Sequence, residues 1–174
     1  MIATKSIMTT ILTTQRLYLR NFELTDAPFI LELLNTPAWL QFIGDRNVKN
    51  EEDATTYLEN RLIKGYENGF GFYVIILKDK ELPIGIAGFV KRAELPHVDI
   101  GYALLPAYEG KGYAYEAAKA VMDYGKNQLG FSTVLAIITA DNHRSIRLAE
   151  QLGLRFDKEI SMNNEQLLLF STAI

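Results

Sequence analysis

A change from an extended pattern to a helical pattern, at residues 106–113, constrains this chain more than any other stretch. An extended run over 97–105 enters it through Pro106, and Gly110 and Gly112 lie between the two patterns. Glycine lacks a Cβ and tolerates a positive φ, so the backbone can turn sharply and approach a ligand there. The helical run that follows places small and apolar residues on one face: Ala114, Ala117, Ala118 and Val121. The sequence therefore predicts a strand, a tight glycine turn and a helix.

The first turn of a helix carries unpaired N–H groups and the positive end of the helix dipole. At a glycine turn these groups favour an anion, and phosphate most of all. Two common phosphate loops are excluded by spacing. The dinucleotide fingerprint needs a third glycine where this chain has Tyr115, and a P-loop needs Ser or Thr after its Gly-Lys pair, where this chain has Gly112. A plain tight turn stays the alternative on this loop alone.

The rest of the chain predicts strands and helices that belong to one domain over 1–174. Strands are expected over 12–21, 70–77, 83–90, 97–105, 133–139, 155–160 and 166–170, and helices over 25–34, 50–68, 113–128 and 142–152. The segment 37–48 is expected to be irregular. The order β-α-α-β-β-β-α-β-α-β-β indicates an α/β (α+β) fold, a mixed sheet of about seven strands with helices on both faces.

The composition excludes several classes of function. The chain has 174 residues, a formal net charge of -3 and no basic block, which argues against nonspecific nucleic-acid binding. It has no cysteine, and its two histidines lack a partner at helical spacing, so no metal site is expected. Residues 1–10 lack the apolar core of a signal peptide, and no run approaches the ~18 apolar residues of a membrane span. We therefore expect a cytoplasmic protein that does not bind membranes.

Three segments, in this order along the chain, carry a resemblance to a known family. The segment Thr14-Gln15-Arg16-Leu17-Tyr18-Leu19-Arg20, followed by Asp26-Ala27, resembles the opening of the RimJ/RimL branch of the GNAT N-acetyltransferase superfamily, the ribosomal-protein-alanine acetyltransferases. The loop Glu109-Gly110-Lys111-Gly112-Tyr113-Ala114 is similar to the family's pyrophosphate loop, Gln/Arg-x-x-Gly-x-Gly/Ala, with Glu109 in place of Gln or Arg. Asn142-His143-Arg144-Ser145, with Gly153-Leu154, resembles its Asn-x-x-Ser … Gly-Phe segment.

The resemblance implies the GNAT fold, acetyl-CoA as the acetyl donor and an amine as the acceptor. The family's cofactor-binding positions fall on the strand before the loop, on the loop and on the second motif: Ile100, Gly101, Tyr102, Ala103, Leu104, Glu109, Gly110, Lys111, Gly112, Tyr113, Ala114, Asn142 and Ser145. The two arginines of the opening strand, Arg16 and Arg20, are expected to be solvated charges at a strand edge. Residues 36–50 and the last hairpin are expected to build the wall of the acceptor site.

Acetyl transfer to an amine needs a base, because most amines arrive as ammonium ions. Asp99 is expected to be this base, since it lies among apolar strand residues just before the cofactor-binding positions and many relatives carry Glu or Asp there. The alternative is a strand-edge carboxylate paired with a neighbouring Lys or Arg. Alternation also places His97 on the face of Asp99, so this imidazole could assist or replace the carboxylate.

Protonation of the leaving thiolate is a separate requirement. Many GNAT enzymes use a tyrosine in the helix of the second motif, but Ala149 stands at the matching position here. The resemblance to the RimJ/RimL branch, which often does without this tyrosine, leaves Ser145 as the group that could hydrogen-bond the sulfur.

These observations predict an acyl-CoA-dependent N-acetyltransferase in which the amine attacks acetyl-CoA directly in a ternary complex. The RimJ/RimL resemblance favours a protein or peptide N-terminal amine as the acceptor. Two alternatives stay open: a small amine such as a polyamine, an amino acid or an aminoglycoside, and a non-catalytic module that senses acetyl-CoA. A pocket with several acids beside the base would favour a polycationic substrate. The oligomeric state is expected to be a monomer or a homodimer.

Overall fold

The sheet that carries the site contains eight strands in the computed structural model, which describes residues 9–173. The strands lie in the order β1-β2-β3-β4-β5-β6-β8-β7. Their bounds are β1 Thr10–Thr13, β2 Leu17–Arg20, β3 Phe72–Leu77, β4 Leu82–Val90, β5 Val98–Leu104, β6 Val134–Ile138, β7 Arg155–Met162 and β8 Glu165–Ser171. Neighbouring strands are antiparallel, except that β5 and β6 are parallel. The signal-peptide argument rests in part on residues 1–8, which lie outside the described residues.

Helices cover both faces of this sheet, as the sequence predicted. Their bounds are α1 Ala27–Leu34, α2 Pro37–Phe42, α3 Glu51–Tyr57, α4 Tyr113–Asn127 and α5 His143–Gln151. The first three helices pack on one face, where Ile30, Ala54 and Val74 belong to one apolar core. The last two pack on the other face, where Val121 and Leu148 meet Ile75 in a second core. Burial of these two apolar faces is the main term that holds the layers together.

The prediction of one strand over 12–21 is wrong, and the sheet therefore has eight strands rather than about seven. The chain reverses at residues 14–16, so that β1 pairs with β2 instead of continuing into it. The backbone N–H of Thr14 donates to Leu17 O at 2.9 Å, and the Thr14 hydroxyl accepts from Leu17 N at 3.1 Å. This turn is made by a threonine side chain rather than by Gly or Pro, so the alternating pattern runs through it unbroken.

The segment 37–48, predicted to be irregular, begins with helix α2. Pro37 is the first helical residue, and the hydroxyl of Thr36 accepts from Trp39 N at 3.4 Å. A helix of six residues is too short to show a period in the sequence. Trp39 is buried and donates from Nε1 to Gly44 O at 3.1 Å, which fixes α2 and the start of the following loop against the core.

The helix predicted over 50–68 is present, but it is not a regular α-helix throughout. Asn50 caps it as expected, since its Oδ1 accepts from Asp53 N at 2.8 Å. Beyond α3 the chain continues as a π-helical turn, Leu58–Ile63, and a 3-10 turn, Tyr66–Asn68. Gly69, at a φ of 84°, ends this stretch and leads into β3. The other predicted strands and helices are confirmed.

Within residues 9–173, no helix is long and apolar enough to cross a lipid bilayer. Over the same residues, no group of three or more His, Cys, Asp or Glu side chains is placed to hold a metal ion.

Candidate active site

The two central strands β5 and β6 lie side by side only where they begin. Their parallel ladder joins Val98 to Val134 and Asp99 to Leu135. Beyond Asp99 the strands separate, although β5 continues beside β4 to Leu104 and β6 continues beside β8. The β6-facing backbone groups of β5 are then left without a strand partner, and such groups require hydrogen bonds from water or from a ligand.

The glycine loop follows the separated end of β5 and leads into α4. Gly110 and Gly112 have φ angles of 71° and 82°, in the left-handed region that glycine adopts without strain. The carbonyl of Gly112 accepts the N–H of Glu116 at 3.1 Å and so begins the helix. A Cβ on Gly110 would meet no atom within 4 Å, so open space borders this backbone. The first turn of α4 therefore presents its positive end beside an accessible loop.

The turn between β1 and β2 supports this loop from the side. Glu116, in the first turn of α4, accepts from the Thr14 hydroxyl at 2.6 Å, from Arg16 N at 2.8 Å and from Arg16 Nε at 2.6 Å. Arg16 also donates from Nη1 to Lys111 O at 2.9 Å and lies over the Tyr113 ring, 4.4 Å from its centroid. Burial opposes the charge of Glu116, but the hydrogen bonds from Thr14 and Arg16 lower its pKa. We call Thr14, Arg16 and Glu116 the loop brace.

Asp99 is a buried carboxylate at the point where β5 and β6 separate. Its side chain is 3% exposed, and Oδ1 accepts from Arg92 Nε at 2.9 Å. Burial raises the pKa of Asp99 to about 6, against the lowering effect of Arg92. The carboxylate does pair with an arginine, as the alternative interpretation expected. It lies on a central strand, however, and not at the edge of the sheet.

The second motif lies across the opening from the glycine loop, at the start of α5. Asn142 caps this helix, with Oδ1 accepting from Ser145 N at 3.3 Å. The hydroxyl of Ser145 accepts from the Tyr102 hydroxyl at 2.8 Å, so a side chain of β5 spans the gap to α5. Burial raises the pKa of Tyr102, which keeps the phenol protonated at neutral pH. This hydrogen bond leaves the Ser145 proton free to be donated to another group.

One cavity of about 760 Å³ joins these parts. It is bordered by most of the residues that the sequence assigned to the site: Asp99, Ile100, Gly101, Tyr102, Ala103, Leu104, Glu109, Gly110, Ala114, Asn142 and Ser145. Lys111, Gly112 and Tyr113 do not border it. Lys111 turns back to donate from Nζ to Ala107 O at 2.9 Å, and Tyr113 lies under Arg16.

The far wall of the cavity is formed by α2, the loop after it, the end of α3 and the β7–β8 hairpin. Its residues include Ala38, Phe42, Ile43, Arg46, Tyr57, Met162, Asn163 and Glu165. The predicted acceptor wall, residues 36–50 and the last hairpin, therefore faces the same space as Asp99. Four arginines and three carboxylates border the whole cavity, and two of the carboxylates, Asp99 and Glu109, are paired with Arg92 and Arg144.

His97 is separated from Asp99, contrary to the expectation that the two share a face. It lies in the bend before β5, where strand alternation does not apply, and it is exposed. It borders a second cavity of about 450 Å³ beside Leu95 and Leu135, which none of the residues predicted to bind the cofactor borders, nor Asp99.

The site and the fold together define a class of protein. A splayed pair of parallel strands, a glycine loop at a helix N-terminus and a buried carboxylate between them are the arrangement expected of an acyl-CoA-dependent N-acetyltransferase. The sequence model of the family described as the Acetyltransferase (GNAT) domain matches residues 16–155. The chain belongs to the GNAT acetyltransferase family, whose members use acetyl-CoA.

Comparisons with individual proteins agree with this assignment. The chain is 30% identical over 158 residues to the uncharacterized N-acetyltransferase YnaD of Bacillus subtilis, covering 88% of this chain and 90% of that protein. It is 33% identical over 78 residues to the spermidine N(1)-acetyltransferase of Escherichia coli, covering 42% of each. Its fold is RimL-like: the ribosomal L7/L12 alpha-N-protein acetyltransferase RimL, solved with coenzyme A, superposes with a TM-score of 0.80 at 18% identity, over 94% of this chain and 97% of that one.

The residues present fit an acyl-CoA thioester. The open backbone of β5 and the glycine loop supply donors along one side of the cavity. At the end of β6, the hydroxyl oxygen of Thr139 is buried on this cavity and has no hydrogen-bond partner among the described residues. A buried hydroxyl without a partner is costly, and a polar ligand in the cavity would satisfy it.

Two sequence-based expectations about the arginines are wrong. Arg16 is not a solvated edge charge but part of the loop brace. Arg20 is buried and donates from both terminal nitrogens to Asp26, at 2.8 Å each. Arg16 lies in the turn before β2, beside the first turn of α4. Arg20 is on β2, which lies between β1 and β3 rather than at the sheet edge, so its buried charge needs a partner.

Sequence reasoning also missed three side chains of the site. These are Arg92 on Asp99, the Tyr102 hydroxyl on Ser145, and Arg144 on Glu109. The unusual acid at position 109 was a signal that a compensating cation should be sought nearby. The alternative interpretation of Asp99 expected a neighbouring Lys or Arg but did not single out Arg92, which follows β4 and lies 7 residues before Asp99. The contact of Tyr102 with Ser145 had no comparable signal, because it depends on where β5 leaves β6.

Proposed function

We propose that the chain transfers the acetyl group of acetyl-CoA to the N-terminal amine of a protein or peptide by direct attack in a ternary complex. The observation that carries the proposal is the position of Asp99, a buried carboxylate on the cavity between the glycine loop and the acceptor wall. Acetyl-CoA supplies the acetyl group as a thioester whose sulfur leaves as a thiol. The enzyme has to align two reactants, move a proton from the amine and return one to the sulfur.

The cofactor is held along the opening between β5 and β6. The amides of Gly110 to Ala114 bind the pyrophosphate, since the backbone is open at Gly110, Gly110 and Ala114 border the cavity, and the loop stands at the positive end of α4. Glu109 precedes them at the mouth of the cavity. The unpaired backbone groups of 100–104 bind the pantetheine amides and the thioester carbonyl, and one N–H there supports the charge that develops on this oxygen. Asn142 binds the pantetheine end through its amide donor, because its Oδ1 is engaged by the helix cap.

Asp99 accepts the proton of the acceptor amine, directly or through one water. With a pKa of about 6, it is mostly ionised at pH 7 yet basic enough to compete for a proton. Arg92 holds the carboxylate in one orientation by the bond from Nε to Oδ1. With Oδ1 bound to Arg92, the other carboxylate oxygen, Oδ2, is the one that can accept a proton from the cavity.

Ser145 returns a proton to the sulfur, supported by Tyr102. Because the Tyr102 hydroxyl donates to Ser145 Oγ, the serine hydrogen is directed elsewhere, and both residues border the cavity. Tyr102 can then reprotonate the serine within the same pair. The pair takes the place of the helix tyrosine that is replaced by Ala149 here.

The charge around the cavity favours a peptide amine over a polyamine. Arginines outnumber carboxylates there, and of the three carboxylates only Glu165 lies outside the Arg92 and Arg144 pairs described above. A polycation would find few anionic partners on such a wall. Because part of the chain is similar to the spermidine enzyme, a small amine is the second candidate for the acceptor.

The test is a CoA-release assay with a panel of acceptors at pH 7.5. The panel contains peptides with free and with acetylated N-termini, spermidine, single amino acids and an aminoglycoside, and mass spectrometry locates the acetyl group. We expect turnover with free N-termini and none with the blocked peptides, even when these contain lysine. Faster turnover of spermidine than of every peptide would overturn the acceptor assignment. Binding of acetyl-CoA without CoA release from any member would favour the sensing module.

A further inference from the structure

The acid at position 109 is the least expected residue of the glycine loop. It directly precedes Gly110, so its carboxylate stands beside the site proposed for the pyrophosphate. The Glu109 carboxylate and the pyrophosphate are both anions and would repel each other. This repulsion would oppose the attraction of the pyrophosphate to the first turn of α4. A chain that keeps an acid here needs a compensating charge.

Arg144 supplies that charge from the other side of the opening. Its Nη1 donates to Glu109 Oε2 at 2.5 Å, and both residues border the main cavity. It lies in the first turn of α5, two residues beyond the cap Asn142. The ion pair therefore links the loop before α4 to the start of α5, the two segments between which the cofactor is proposed to lie.

The two partners differ in freedom. The Glu109 side chain is 29% exposed and held near the loop, whereas the Arg144 side chain is 79% exposed. A guanidinium has five N–H donors in a planar fork that suits phosphate oxygens as well as carboxylates. An exposed ion pair is weak, so its arginine can be drawn to a stronger anion at little cost.

We propose that Arg144 binds the cofactor pyrophosphate, and that Glu109 competes with the cofactor for this arginine. In the cofactor-free enzyme Glu109 holds Arg144 over the opening; when acetyl-CoA binds, the guanidinium turns to the phosphate oxygens. The inference rests on the proposed cofactor site. It adds an arginine from α5 to the loop amides that bind the pyrophosphate. Glu109 then weakens cofactor binding instead of contributing to it.

The test is calorimetry of CoA binding to the full chain at low ionic strength. Arg144→Gln should weaken binding by ~10-fold, the equivalent of one charge-assisted hydrogen bond. Glu109→Gln should tighten it by ~3-fold, because the arginine is then free beforehand. The double variant should bind more weakly than the parent, since the phosphate contact is lost with the arginine. If the double variant equals the parent, the two residues merely neutralise each other and the inference is overturned.

A matched control separates this contact from a general effect of charge. Lys119 and Asp123 form an exposed ion pair on α4, with side chains 49% and 55% exposed, and neither borders the cavity. Lys119→Gln and Asp123→Asn should leave CoA affinity unchanged. A loss in Lys119→Gln as large as that in Arg144→Gln would overturn the contact in favour of net charge.

The donor itself provides a second readout. S-acetylpantetheine carries the same thioester without the pyrophosphate, so Arg144→Gln should lower the ratio of kcat/KM for acetyl-CoA to that for S-acetylpantetheine. An unchanged ratio would contradict the assignment. If the parent binds CoA while these variants behave like it, the inference fails and the proposed function survives. If the parent does not bind CoA, both fail.

Discussion

The two sides of the cavity are built differently. The side proposed to bind the cofactor, called the cofactor side, consists of the end of β5, the glycine loop and the first turns of α4 and α5. It is joined by hydrogen bonds between distant residues, such as those of the loop brace. The side proposed to bind the amine, called the acceptor side, consists of the six-residue helix α2, an exposed loop and a hairpin tip with Asn163 and Asn164 at positive φ. Surfaces made from loops and short elements tolerate change, whereas backbone held in regular elements does not.

Because the two sides are built differently, we expect each side to determine a different kinetic or binding constant. Substitutions on the cofactor side should change the affinity for CoA, and substitutions on the acceptor side should change the KM for the amine alone. The proposed base, Asp99, lies where the two sides meet, and the proposed proton donor, Ser145, lies on the cofactor side. Substitutions of these two residues should change turnover. The following predictions test this separation, from the largest expected effect to the smallest.

Asp99→Asn should lower turnover by ~100-fold near neutral pH, because it removes the base and preserves the shape. The loss should shrink as pH rises and more of the amine is unprotonated. In the parent, turnover should fall as pH drops through about 6, where Asp99 becomes protonated, and the variant should lack this dependence. Kinetics from pH 5 to 9, with CoA affinity measured in parallel, check this. A variant profile that overlays that of the parent would return Asp99 to a structural role.

The same variant, which should lose turnover, should gain stability relative to the parent as pH rises. The folded-state pKa of Asp99 is raised from 3.8 to about 6, so its contribution favours folding at low pH and is lost as pH rises through this window. The shift corresponds to roughly 3 kcal/mol. The unfolding free energy of Asp99→Asn relative to the parent should therefore increase between pH 4 and 6 and level off above. Denaturant titrations at pH 4 and pH 7.5 measure it.

Gly112→Val should weaken CoA binding by ~30-fold, since a β-branched residue is strained at a φ of 82° and its Cβ would lie 3.3 Å from Arg16 Nη2. Gly130→Val is the matched control: its φ is 73°, and it lies after α4, away from the cavity. Calorimetry should find the loss in the first variant only. Equal affinity of the two variants, both folded by circular dichroism, would contradict the loop assignment.

Arg16→Gln should weaken CoA binding by ~10-fold while leaving turnover at saturating acetyl-CoA close to that of the parent. The arginine does not border the cavity; it positions the loop through Lys111 O and Glu116. Arg155→Gln removes an exposed arginine on β7 and serves as the control. Arg16→Lys, which keeps the charge but not the fork, should recover little of the affinity. Full recovery by lysine would indicate a charge effect instead of positioning.

Tyr102→Phe should lower turnover by ~5-fold without changing CoA affinity, because Ser145 loses the donor that orients its hydroxyl. Ser145→Ala should lower it at least as much, and the double variant should match Ser145→Ala alone. Additive losses in the double variant would show that the two hydroxyls act separately.

Phe42→Ala should raise the KM for the amine by ~3-fold and leave CoA affinity unchanged, because Phe42 borders the acceptor side of the cavity. Leu40→Ala, on the same helix, removes an exposed residue that does not border the cavity and should have no effect. A change in CoA affinity in Phe42→Ala would break the proposed separation of the two sides.

The sequence could predict the parts of the site that depend on local backbone requirements. Gly110 and Gly112 indicate a positive φ at the loop, and Asn142 indicates a helix cap, whatever surrounds them. Apolar periodicity likewise predicted α4 and its buried face. Each of these inferences uses neighbours within a few residues, and the structure has these elements where the sequence predicted them.

What the sequence could not predict depends on pairs that are distant along the chain. Arg16 and Glu116 are 100 residues apart, and Tyr102 and Ser145 are 43 apart. The contact of Tyr102 depends on how far β5 stays beside β6, and the contact of Arg16 depends on the extra reversal at Thr14. Neither feature produces a periodic pattern in the sequence. The same holds for α2, whose helix is set by a proline, a cap and one buried tryptophan.

The loop brace has a consequence for the order in which the molecule folds. Thr14 and Arg16 hold the first turn of α4, which is synthesised about a hundred residues later. The N-terminal hairpin must therefore wait, with its hydrogen bonds to α4 unmade, until the middle of the sheet has assembled. Closing a contact of this sequence separation is slow compared with forming a local helix. The glycine loop should thus reach its final geometry in the last stage of folding, and CoA binding should appear in refolding experiments after the sheet has formed.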